Sequence, residues 1–97
     1  MITIRGELSK PAEARTTLRG EAVLMLYLDN LPWPIEVART LSADAADHAA
    51  VQAVAQKLRR GDTVWITARG IAPRTDHAHA VLAVRDVERV QIGSVTV

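Results

Sequence analysis

The apolar residues of this chain change period once and then change back. Before Ser42 they alternate or run in short blocks. From Ser42 to Arg60 they recur at helical spacing, with Val51, Val54 and Leu58 on one stripe beside Ala50 and Ala55. After Gly61 they alternate again. A period of two marks strands and a period of 3.6 marks a helix. A chain of 97 residues with one such interruption is a single small domain, rich in strands around one central helix.

The boundaries are readable from local chemistry. Residues 2–8 place Ile2, Ile4 and Leu8 on one face and Thr3, Arg5 and Glu7 on the other, with a bend expected at Gly6. Residues 9–20 are polar, carry Pro11 and end in Gly20, and read as a loop or an irregular continuation of the strand. Ala22–Leu28 is a second strand that is apolar on both faces: Leu24, Leu26 and Leu28 on one, Val23, Met25 and Tyr27 on the other. A strand of that kind is covered on both sides, so the Met25/Tyr27 face is expected to meet something besides the domain's own core. Asp29-Asn30 and the two prolines of Leu31-Pro32-Trp33-Pro34 form the next connection, and 35–41 is a third strand. Asp44 and Asp47 suit the first turn of the helix, Lys57, Arg59 and Arg60 its last, and Gly61 its stop. Thr63–Ile71 is a fourth strand with Trp65 on the side away from Val64 and Ile66. Pro73–Asp76 reads as a turn, 78–85 as a fifth strand, and 86–92 as its continuation or a short turn. Residues 1–92 are then the domain and 93–97 a frayed tail.

Three strands, a helix and two strands is the order of the OB-fold. The expected class is therefore all-β with one helix, a five-stranded Greek-key barrel with the helix between strands 3 and 4.

Composition narrows function by exclusion. The net charge of +1 rules out a whole-surface basic field of the kind that grips nucleic acid without preference. Ten of the twelve basic residues are arginine, which suits planar and phosphate recognition, although a GC-rich genome explains the bias as well. The absence of cysteine removes thiol chemistry and zinc ribbons. The start, Met1-Ile2-Thr3-Ile4-Arg5, reads as a strand and not as a targeting signal, and the run Ala22–Leu28 is too short to span a bilayer. A cytoplasmic location is the default. No nucleophile–base spacing or phosphate loop stands out, so no enzyme activity, metal or cofactor is expected. His77 and His79 in "DHAH" read as polar loop residues, and His48 as exposed near the helix start.

Two stretches match a known family. The run "ITIRGELSKPAEARTTLRGEAVLMLYL" resembles the opening of bacterial single-stranded DNA-binding proteins and of primosomal replication protein N. The positions that carry the likeness are Gly6, Leu8, Pro11, Glu13, Arg15, Thr17, Gly20, Ala22 and Val23. The run "KLRRGDTVWITARG" is similar to the family's second motif through Leu58, Arg59, Arg60, Gly61, Val64, Trp65 and Ile66. The resemblance implies an OB-fold acting in DNA replication, bound to single-stranded DNA or RNA, and a dimer or tetramer. The chain departs from the family in its short loops and in ending "IGSVTV" where the family carries an acidic tip.

Nonspecific binding of single strands needs aromatic faces for bases and a basic groove for phosphates. The aromatic candidates are Trp33, Trp65 and Tyr27. Trp33, held between two prolines, is a stacking platform or a packing wedge. The phosphate candidates are Arg5, Arg15, Arg19, Arg69 and Arg74, each of which has solvated surface charge as its plain alternative. Met25 and Tyr27 are the candidates for an oligomer interface. The rival function is a structural OB domain that oligomerises through them and has lost strong nucleic-acid binding.

Overall fold

Leu8 is the joint on which the architecture turns. Its amide donates to the Asp62 carbonyl (2.9 Å), its carbonyl accepts from the Gly61 amide (2.8 Å), and it bridges Leu28. One residue thus ties the first strand to the segment after the helix and to the strand Ala22–Leu28. The computed structural model describes residues 1–29, 34–76 and 79–97, with side chains at all of these except 73–76 and 79–80.

The strands are β1 (Ile2–Glu7), β2 (Glu13–Thr16), β3 (Ala22–Leu28), β4 (Ile35–Thr40), β5 (Thr63–Ala68), β6 (Ala72–Asp76), β7 (His79–Val84), β8 (Val87–Ile92) and β9 (Val95–Thr96), and the helix α1 (Ala45–Lys57) lies between β4 and β5. They form two sheets. One has the order β1-β5-β8-β9, the other β2-β3-β4-β7-β6. All neighbours are antiparallel except β4 and β7, which are parallel. The radius of gyration is 12.7 Å, the value of a compact chain of this length.

Alternation decides which side chains go inside. Leu24, Leu26, Val37, Val64, Ile66, Val84 and Val90 are fully buried between the sheets, with Val51 and Leu58 closing the core from α1. The helix is shorter at both ends than its periodicity suggests, for different reasons. At the start, Ser42 turns its amide (2.9 Å) and hydroxyl (2.6 Å) onto the Asp47 carboxylate, so residues 42–44 serve as a cap and not as a turn. Those two hydrogen bonds hold the Asp47 carboxyl below the usual aspartate range. At the far end Leu58 adopts an extended backbone that carries its side chain into the core.

Gly61 sits at φ +91°, where a Cβ is disfavoured by ~1–2 kcal/mol. The space around it is open, so alanine there meets no clash and carries only the conformational cost. Gly61→Ala is expected to lower the melting temperature by about 4–16 °C. Gly70→Ala, without a positive φ and with equal space, leaves it unchanged or raises it. Thermal melts followed by circular dichroism check the pair.

Three expectations are corrected, and one open alternative is decided. The strands divide into two sheets of shorter pieces rather than a single five-stranded barrel, because the chain bends at Leu8–Ala12, Arg69–Ile71 and Arg85–Asp86. The polar stretch 9–20, read as a loop or an irregular continuation of the strand, is the latter: it contains β2, which pairs with β3 from Glu13↔Met25 to Thr16↔Ala22. Residues 73–76 are not a turn but part of β6, because β7 offers a partner for each of them. The tail is not frayed: Gly93, at φ +59°, makes a tight turn that returns β9 onto β8, and Val90 and Val97 exchange two backbone hydrogen bonds.

The second apolar face of β3 is covered within the chain. Val23, Met25 and Ala38 form a small cluster of their own, with Tyr27 packed on it. Glu13 lies opposite Met25 and Arg15 opposite Val23, and the stems of such side chains shield apolar surface while their charges stay in water. Met25 is only 6% exposed. Among the described residues no helix is long and apolar enough to cross a membrane.

Candidate nucleic-acid interface

The candidate residues fall on two different outer faces. On the larger sheet, Tyr27 is the aromatic. Its ring is capped by the Lys10 ammonium, 3.9 Å from the ring centre. Lys10 also pairs with Glu13 (3.6 Å), and Glu13 pairs with Arg15 (3.0 Å). The Arg15 guanidinium holds the Glu13 carboxyl below its ordinary range, and burial pushes the Tyr27 hydroxyl up. Beside them Arg85 reaches Glu36 at 2.5 Å. This face is a closed network: its ring is covered, and Lys10, Arg15 and Arg85 are each matched by a carboxylate. It offers little to a base or a phosphate.

The smaller sheet is different. Register places Arg5, Trp65 and Gln91 in one cross-strand row, and Thr3, Thr67 and Arg89 in the next. Residues directly opposite in an antiparallel pair point to the same side. Trp65 is 40% exposed, and the Arg5 guanidinium lies over its ring at 5.7 Å. A depression of about 310 Å³ opens beside the indole, lined by Thr3, Trp65, Thr67, Arg89, Gln91 and Gly93. Arg89 makes no ion pair or side-chain hydrogen bond among the described residues. Gln91 donates from Nε2 to the Gly93 carbonyl at 3.5 Å. The arrangement is a flat aromatic surface, two arginines, an amide and two hydroxyls on a rigid sheet.

The structure therefore brings together Trp65 and Arg5 and separates them from Tyr27 and Arg15. Arg69 is on the edge of the Trp65 sheet but is held by Glu88 at 2.7 Å, which raises its pKa further. Arg19 lies next to Leu18 at the exposed tip of the β2–β3 hairpin, away from both aromatics. Trp33 and His77 lie outside the described residues. So do the side chains of Arg74 and His79, which belong to β6 and β7. His48 is not solvated as expected; it is half-buried, and its Nε2 donates to the Gly20 carbonyl at 2.8 Å, tying α1 to the hairpin. Among the described residues there is no cluster of three or more side chains able to hold a metal.

Arg89 and Gln91 are the side chains of this face that sequence reasoning passed over. Their signal was the alternation of Arg89 and Gln91 with Val90 and Ile92, hidden because 86–92 reads equally as the end of a strand or a turn. No family model matches the sequence, and no curated protein matches it.

Proposed function

We propose that the protein binds single-stranded DNA without strong sequence dependence, through the outer face of the β1-β5-β8-β9 sheet. The observation that carries this reading is the half-exposed Trp65, flanked by Arg5 on one side and by a polar depression holding Arg89 on the other. An indole on a strand is a stacking platform for any base, and the Arg5 guanidinium beside it, without an ion pair among the described residues, suits an adjacent phosphate.

The pairing pattern supports a small OB-type scaffold beneath this face. Taken as one strand bent at Leu8, β1 and β2 pair with β5 and β3. Taken as one strand bent near Gly70, β5 and β6 pair with β8 and β7. β3 pairs with β4, and β4 runs parallel to β7. Grouped in this way, the strands neighbour one another in the order first, second, third, fifth, fourth, and that order supports an OB-type reading of the two sheets.

The test is a titration of intrinsic tryptophan fluorescence with oligo-dT at two salt concentrations. Quenching is expected at low salt. With one phosphate neutralised, at Arg5, the slope of log K against log salt is about −0.7, so a tenfold rise in salt weakens binding roughly 5-fold. The reading fails if micromolar protein shows neither quenching nor a mobility shift of a labelled oligonucleotide.

A further inference from the structure

We propose that the depression beside Trp65 is a base-reading pocket that prefers guanine, an inference that rests on single-strand binding at this face. A platform alone accepts every base equally. This one is bounded by hydrogen-bonding groups whose capacities are not spent within the chain, and those capacities are not neutral among the bases.

Size comes first. Trp65 and Arg89 are diagonal neighbours on β5 and β8, since Trp65 is opposite Gln91 and Arg89 opposite Thr67. Diagonal neighbours in a sheet stand ~7–8 Å apart. A purine stacked on the indole reaches across that interval with its Hoogsteen edge. A pyrimidine, smaller by one ring, falls short of it.

Donor pattern comes next. The Arg89 guanidinium presents parallel N–H donors and has no partner among the described residues. Guanine offers it two acceptors in line, O6 and N7. Adenine offers N7 beside an amino group, which sets donor against donor. Gln91 does not choose between the purines. Its Nε2 is turned toward the Gly93 carbonyl, leaving Oε1 as an acceptor that guanine meets through N1 or N2 and adenine through N6. Thr67 is buried on the floor and Thr3 stands open at the side. Both hydroxyls rotate, so they complete the pocket without choosing between bases.

The experiment compares three fluorescein-labelled heptanucleotides by anisotropy: all thymidine, the same with one central guanine, and the same with one central adenine. Each is titrated with wild type and with Arg89→Lys, which keeps the charge and loses the paired donors. Arg89 is exposed, so the variant folds. The guanine oligonucleotide is expected to bind wild type about tenfold tighter than the other two. In the variant that advantage disappears, and its affinities for the three strands agree with one another within about twofold. Equal affinity of wild type for all three overturns the guanine preference and leaves strand binding intact. A guanine advantage that survives in Arg89→Lys overturns the role of Arg89. Failure of all three to bind removes both this inference and the reading beneath it.

Discussion

Trp65→Ala is expected to weaken binding of oligo-dT by about 5-fold to 150-fold, the range that corresponds to ~1–3 kcal/mol for one stacked base. The same change lowers stability by less than about 1 kcal/mol, because the side chain lies on the outward row of β5 and not among the core residues. The two effects are read separately, by anisotropy and by urea unfolding. Tyr27→Leu provides the contrast. The Tyr27 ring is already covered by Lys10, so its loss changes affinity by less than about twofold. If the two variants exchange results, with Tyr27 carrying the affinity and Trp65 the stability, the assignment of the binding face is wrong. A large loss of stability in Trp65→Ala with no change in affinity would make the indole a packing residue.

Leu24→Ala acts on the other half of the problem. Leu24 is 0% exposed, in the middle of β3, with Ala14 across on β2 and Arg39 across on β4. Truncating a buried leucine costs ~2–5 kcal/mol, including the cavity that the rigid surroundings cannot close. A domain of this size has ~5–15 kcal/mol in total. A loss of about 3 kcal/mol lowers the melting temperature by about 12–24 °C. Leu18→Ala, at the fully exposed hairpin tip, shifts it by less than about 3 °C. Circular dichroism melts of the two proteins decide the matter: a shift of under about 5 °C for Leu24→Ala contradicts the packing described for β3.

The strands and the helix were legible because each obeys one period over several residues. Ala22–Leu28 appears in the structure with the bounds read from the sequence. The bends were not legible, since they arise from distant partners: Leu8 departs from its strand because Gly61 and Asp62 bind its backbone. β6 and β9 were missed for a related reason. A short polar stretch becomes a strand when a neighbour supplies the ladder, whatever its own propensity. The outer surface followed the same rule. Arg5 and Trp65 share a row through a register that links residues 2–7 to 63–68, and nothing in either segment announces it. Tyr27 failed as a free platform because Lys10, seventeen positions earlier in the chain, folds over it. Its charge marks it as basic but does not say which ring it will meet.

The pairing of β1 with β5 has a kinetic consequence. Ile2 meets Ala68 only after some sixty residues of chain have been gathered between them, whereas the β2–β3 and β6–β7 hairpins close over a few residues. Loop closure of that length is entropically unfavourable until the intervening elements have condensed, and contacts so distant in sequence form slowly. Arg5 and Trp65 are therefore expected to be joined late in folding. The face they share exists only in the completed molecule, and a ligand seated across β1 and β5 would stabilise the pairing that closes this long loop.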